Sequence, residues 1–274
     1  MRVAILMSTY QGERFVAQQL ASILEQLPAD GSVLIRDDGS TDGTVAVIES
    51  ANDARVTVVR GENIGFVRSF FALLDHAPGD ADVIMLADQD DIWLPGKVGA
   101  ACQRLSGKTG IPTLYCSRMQ LVDDQLRPLG LSPRWTRPPS FHNELAENIV
   151  TGCTAALNRP ALELVRQCGD PSLIGYHDWW MYLAVSAFGE VIHDPQPSML
   201  YRQHGGNAIG MGAGAGRYAR IVRMLRKTNW IAIMYRQAGN FRVVHGARMT
   251  VHQRHGELRC HHCGHVERVP RHCP

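Results

Sequence analysis

The chain of 274 residues has no apolar run of about 18 or more, the length a membrane-crossing helix requires, so no such helix is expected. It has no convincing signal peptide either. The apolar stretch in MRVAILMSTYQGERF is short, and Gln11, Glu13 and Arg14 follow it closely, which places the protein in the cytoplasm. A large net charge is also missing: 28 Lys and Arg against 26 Asp and Glu leave +2, which excludes a wholesale polyanion binder. With 45% hydrophobic and 20% charged residues, the composition lacks the polar bias of a disordered chain. Acid groups are absent from one long stretch. Residues 195–256 hold no Asp or Glu, yet they carry Arg202, Arg217, Arg220, Arg223, Arg226, Lys227, Arg236, Arg242, Arg248 and Arg254. The acidic part of the chain suits a metal or cationic chemistry, and the basic part an anionic partner.

What is present is a repeating pattern. Residues 2–8, 33–37, 55–59 and 82–87 read as short buried strands, and 13–27, 43–51 and 65–76 read as helices between them. This α/β alternation implies right-handed crossovers and a mainly parallel sheet, with ligands beyond the carboxyl ends of the strands. Polar clusters stand at those ends: Ser8-Thr9-Tyr10, Asp37-Asp38, Asn63 and Asp88-Gln89-Asp90-Asp91. Further on, 115–122, 153–157 and 191–193 read as strands, 160–168 and 178–188 as helices, and 127–143 as a loop. Residues 217–237 read as a basic amphipathic helix, a shape compatible with an anionic membrane surface.

Alternate residues at a strand end face one way, so Asp88 and Asp90 converge. Close carboxylates repel unless a cation lies between them, and hard oxygen donors suit Mg²⁺ or Mn²⁺. Such a cation stabilises a departing diphosphate. The turn DDGSTDGT at 37–44 is explained in part as helix capping by Ser40, Thr41 or Asp42, which leaves Asp37 and Asp38 for a base or a ribose hydroxyl. Asp178 reads from position alone as a helix cap or as a base. Trp179 and Trp180 read as core or as an aromatic wall for a ligand ring.

Six motifs occur in order: Ser-Thr-Tyr at 8–10, DDGSTDGT at 37–44, ENIGF at 62–66, ADQDDIW at 87–93, HDWW at 177–180 and YRQHGGNAIG at 201–210. Together they resemble the family 2 inverting glycosyltransferases of the GT-A fold, and among these the bacterial rhamnosyltransferase-like branch of cell-surface polysaccharide synthesis. The resemblance covers about residues 1–240. It implies a GT-A (Rossmann-like), mainly parallel sheet flanked by helices. It places Thr9, Tyr10, Asp37 and Asp38 at the nucleotide base, and Asn63 and Gly65 near the ribose and diphosphate. Asp88 and Asp90 become the metal-binding D-x-D, with Asp91 beside them and Asp88 also facing the donor. Asp178 becomes the general base, and Arg202 and His204 reach the diphosphate or the metal. Inversion is a single displacement that needs one base and one cation, and no covalent nucleophile. The implied partners are a nucleoside-diphosphate sugar, with dTDP-rhamnose the specific expectation, and a lipid-linked or glycan acceptor. Residues 217–237 would bring the enzyme peripherally to the inner face of the cell membrane. The family's Pro at the position of Met7-Ser8 is absent.

The chain thus divides into a transferase domain over 1–210, a Gly-rich linker and basic helix over 211–241, and a Cys/His-rich tail over 242–274. Cys102, Cys116, Cys153 and Cys168 are scattered and read as small buried hydrophobes. Cys260, Cys263 and Cys273 crowd the end of the chain with His261, His262, His265 and His272. This segment resembles part of the zinc-binding module of the bacterial primosomal DNA helicase, without its final Cys. An incomplete ligand set of this kind is not expected to hold Zn²⁺, and the tail is expected to be irregular. Two rival readings predict other behaviour. A nucleotidyltransferase would need a Gly-rich basic loop after the first strand, which Ser8-Thr9-Tyr10-Gln11-Gly12 is not. A nucleic-acid binder acting through the basic third and the tail would show salt-dependent DNA binding that survives Asp90→Ala; nucleic acid is not the expected partner.

Overall fold

The computed structural model describes residues 1–135, 138–141, 148–204 and 230–249. Within them one nine-stranded sheet is flanked by helices on both faces. Its first half is the expected alternation: β1 Val3–Thr9, α1 Val16–Leu24, β2 Ser32–Asp37, α2 Thr44–Ser50, β3 Val56–Arg60, α3 Phe66–Asp75 and β4 Val83–Ala87. All contacts among these four strands are parallel, in the order β3-β2-β1-β4. Strands β1 and β4 are apolar nearly throughout because they are covered on both sides. Ala4 and Leu6 pack into one helical layer, while Val3, Ile5 and Met7 pack into the other.

The second half builds outward from β4. After β5 Ile92–Trp93 and α4 Lys97–Leu105 come β6 Thr113–Val122, β7 Pro128–Leu131, β8 Ala156–Asn158, α5 Arg159–Arg166, α6 His177–Phe188, β9 Glu190–Arg202 and α7 Trp230–His245. Strand β8 runs antiparallel between β4 and β6, and β6 runs parallel to β9. Asn158 closes β8 and opens α5: its side-chain oxygen accepts the Ala161 N–H at 3.0 Å, satisfying a free donor of the first turn.

Several details differ from the sequence reading. The strand read over 153–157 is a 3₁₀ turn, Gly152–Thr154, followed by a shorter strand. The loop read over 127–143 contains β7, which pairs with β6. Helix α4 has no counterpart in the reading. The strand expected over 191–193 continues to Arg202, because a register shift opposite Ser117 and Arg118 lets Pro195 sit outside the ladder. Helix α7 packs Phe241 against Trp180 and Phe188, with centroids 5.7 and 6.0 Å apart, and it spans the 241/242 boundary drawn from sequence. Residues 217–229 of the expected basic helix, and 250–274 of the tail, lie outside the described residues. Among those described, no helix is long and apolar enough to cross a membrane.

Candidate active site

The acidic segment leaves β4 at Ala87 and returns as β5, which pairs antiparallel with β9 through Ile92 against Leu200 and Trp93 against Met199. Continuing that register sets Asp90 opposite Arg202. The backbone N–H of Arg202 donates to Asp91 Oδ1 at 3.1 Å, and its guanidinium donates to the Asp90 carbonyl at 2.7 Å, to the Asp124 carbonyl and to Gln18. Arg202 also lies over the Phe15 ring at 4.5 Å. Two residues on, His204 Nε2 meets Asp90 Oδ2 at 2.7 Å while its ring lies 4.8 Å from Phe15. The long β9 therefore carries both basic residues of YRQHG to the acidic turn.

Asp88 and Asp91 project toward the interior. One ligand atom from each, with the sulfur of Cys153, falls within 4.8 Å of the others. Burial, then the charge of Asp90, holds both carboxyls above the usual carboxylate range; the charge of Asp178 adds to this at Asp88. Asp91 is fully buried, and its Oδ2 has no hydrogen-bond partner of ordinary geometry among the described residues. Beneath them lies Lys97, 2% exposed, whose Nζ donates to the Cys153 carbonyl at 2.7 Å and sits 4.5 Å over the Trp93 ring. Burial lowers the Lys97 pKa to about 8, against the opposing pull of Asp91 and Asp88. Three carboxylates and an imidazole make a donor set of hard oxygens and one nitrogen. The residues present fit a divalent cation.

Asp178 stands in the first turn of α6. Its carboxylate accepts the Trp179 N–H at 2.7 Å and the Gly152 N–H at 3.3 Å, and Asn148 also bonds it. Burial pushes its pKa up to about 6 despite these bonds. It thus sits at the helix N-terminus as a capping group would, yet keeps a poised carboxyl near Asp88. Trp179 and Trp180 are buried, and Trp180 Nε1 donates to the Val165 carbonyl, so both belong to the core and neither forms a wall for a sugar. His177 is buried and stacked on Phe70 at 4.1 Å, and burial lowers its pKa to about 3.

The residues expected at the nucleotide lie at the ends of β1, β2 and β3. Asp37 accepts from Thr9 Oγ1 at 3.0 Å and from the N–H and hydroxyl of Ser40. Asp38 pairs with Arg36 and accepts the Ile64 and Gly65 N–H groups. Both carboxylates thus organise the loops around them: Asp37 the DDGS turn, Asp38 the segment before α3. Asn63 accepts from the Gly65 N–H, and Gly65 has φ +81°, a left-handed conformation that favours glycine. Tyr10 is exposed.

Sequence reasoning missed the residue that joins the two halves. The Gln89 side chain accepts the Tyr10 N–H at 2.8 Å and donates to the Tyr10 carbonyl at 2.9 Å, locking the β1 loop to the acidic turn. A Cβ on Gly12 would fall 2.2 Å from Gln89 Oε1, so a larger residue there would push the amide out of this position. Lys97 was also missed. A lysine in the first turn of a helix opposes the helix dipole, and that is the signal that could have found it.

Comparison with known proteins agrees with this architecture. Residues 4–165 match the profile of glycosyl transferase family 2, and residues 246–268 match the Cys-rich region of the PriA DNA helicase. The dTDP-rhamnosyl transferase RfbG of Shigella flexneri is 28% identical over 223 residues, 74% of this chain and 73% of that one. The UDP-Glc:alpha-D-GlcNAc-diphosphoundecaprenol beta-1,3-glucosyltransferase WfgD of Escherichia coli is 26% identical over 58% of this chain and 61% of its own length. Among solved structures, S. aureus TarS 1-349 in complex with UDP-GlcNAc superposes with a TM-score of 0.61 at 13% identity, covering 93% of this chain and 78% of that one. The mannosyltransferase PcManGT from Pyrobaculum calidifontis, in complex with GDP-Man and Mn²⁺, gives 0.56 at 21% identity, covering 92% and 77%. With its sheet, its acidic turn and the greater part of its length accounted for in this way, the chain belongs to glycosyltransferase family 2.

Proposed function

We propose that the protein transfers a sugar with inversion from a nucleoside-diphosphate donor to a lipid-linked or glycan acceptor in polysaccharide synthesis, and that the donor is dTDP-L-rhamnose. RfbG supports the donor, and the lipid-diphosphate acceptor named for WfgD supports the acceptor class. The observation that carries the reaction type is geometric: Asp178 accepts the N–H of Gly152 at 3.3 Å, and the next residue of that 3₁₀ turn, Cys153, has its sulfur within 4.8 Å of ligand atoms of Asp88 and Asp91. In this reading Asp178 takes the proton of the acceptor hydroxyl as that oxygen attacks the anomeric carbon, and the bond to the diphosphate breaks on the opposite side. Gly152, Trp179 and Asn148 orient Asp178 for this task. Asp88 and Asp90, with Asp91 and His204 beside them, would hold Mg²⁺ or Mn²⁺. When bound, such an ion neutralises charge on the departing diphosphate. Arg202 positions the Asp90 backbone, and Thr9, Tyr10, Asp37, Asp38, Asn63 and Gly65 shape the nucleotide pocket. Residues 1–210 carry the chemistry, while 217–237 dock on an anionic membrane surface.

The purified full chain, offered a panel of nucleotide sugars with Mg²⁺ or Mn²⁺, tests this. Binding and slow hydrolysis of dTDP-rhamnose in preference to UDP and GDP sugars are expected. Failure to bind any donor would overturn the transferase reading; preference for another sugar would overturn only the donor assignment.

A further inference from the structure

We propose that Cys153 joins Asp88 and Asp91 in a thiophilic metal site at the floor of the cleft, separate from Asp90 and His204 and selective for ions such as Zn²⁺ or Cd²⁺. Cys153 lies in the 3₁₀ turn Gly152–Thr154 and is fully buried, and nothing in the proposed sugar transfer employs it. Its sulfur and one oxygen from each carboxylate already lie within 4.8 Å of one another, close enough to converge on one ion. Asp91 is fully buried: its Oδ1 accepts the Arg202 N–H, while its Oδ2 has no hydrogen-bond partner of ordinary geometry among the described residues, and the Cys153 thiol lies beside the carboxylate. Asp88 is only partly buried, so the cluster is not wholly closed to solvent.

Charge favours a dication here. Two carboxylates and a thiolate carry three negative charges, and a divalent ion with the ammonium of Lys97, fixed 2.7 Å from the Cys153 carbonyl, balances them. On binding, the Cys153 thiol and whichever of the Asp88 and Asp91 carboxyls are protonated release their protons to solvent as metal–sulfur and metal–oxygen bonds form, with no change of oxidation state. A mixed thiolate and carboxylate set suits Zn²⁺ and Cd²⁺, whereas Mg²⁺ prefers oxygen alone. Because Asp88 also belongs to the proposed Mg²⁺ or Mn²⁺ site, a thiophilic ion here withdraws a ligand from catalysis and inhibits transfer.

The test uses the full chain with Cys260, Cys263 and Cys273 replaced by serine, so that the tail contributes no thiolate. Cd²⁺ titration of the metal-free protein is expected to give one equivalent of the ultraviolet thiolate-to-cadmium absorption. Cys153→Ser abolishes that band, and Asp91→Asn, which keeps the thiol, weakens Cd²⁺ binding at least tenfold. Mn²⁺ binding to Cys153→Ser, read from loss of the free-ion paramagnetic resonance signal, changes less than twofold. Absence of the band in the parent, or its persistence in a folded Cys153→Ser protein, overturns the proposal. If Cys153→Ser fails to fold, unchanged Cd²⁺ affinity in Asp91→Asn overturns it instead. Nucleotide-sugar binding measured on the same samples keeps this outcome separate from the transferase reading.

Discussion

Asp178 works against its surroundings: burial disfavours its charge, and that same penalty suits it to the role of base proposed for it near neutral pH. Its folded pKa of about 6 exceeds the unfolded value of roughly 4. The stability it contributes is therefore fully present below the unfolded value and is lost as pH rises through about 6. Asp178→Asn is expected to lower kcat by roughly 10²–10⁴-fold, the range for loss of a general base. At pH 8 its thermal midpoint should equal or exceed that of the parent, because the substitution removes a buried charge. Steady-state kinetics and thermal unfolding of the two proteins check both halves. The base must be ionised to act, so kcat should fall on the acid side of pH 6; a pH–rate profile flat down to pH 5 would remove Asp178 from this role.

Between elements, the site depends on strand ends that meet only when the sheet is assembled. Gln89 is the clearest case, since its amide bonds both backbone groups of Tyr10 across the gap between β1 and the acidic turn. Gln89→Ala removes both bonds. At about 1 kcal/mol for each net hydrogen bond, donor KM should rise roughly tenfold or more. Because Gln89 is not placed among the reacting groups, kcat should change far less. A split between KM and kcat of this kind distinguishes loop positioning from a catalytic role.

For the whole molecule, α7 ties the C-terminal region to the core. Phe241 is 2% exposed, His245 and Met249 are buried beside it, and Asn240 donates to the Cys168 carbonyl at 2.8 Å. A chain ending at residue 240 loses Phe241, worth about 3–5 kcal/mol by the cost of large aromatic truncations, and should unfold at markedly lower denaturant. A chain ending at residue 249 keeps these contacts and should match the parent in urea midpoint and in donor binding. Comparing the two truncations locates where the transferase unit stops.

The succession of the first four strands along the chain and the acidic turn after the fourth were legible in the sequence because each is local. Buried strands read as apolar runs, and polar clusters at their ends stand out one segment at a time. The pairing of Asp90 with His204, the opposition of Lys97 to Asp88 and Asp91, and the placement of Cys153 beneath them were not legible. Each joins residues far apart in the chain, and each depends on the register of β5 against β9 or on the turn before β8. Proline at 195 concealed the length of β9, and that length is what delivers Arg202 and His204 to the acids. Local chemistry named the parts; the pairing of distant strands set which of them touch.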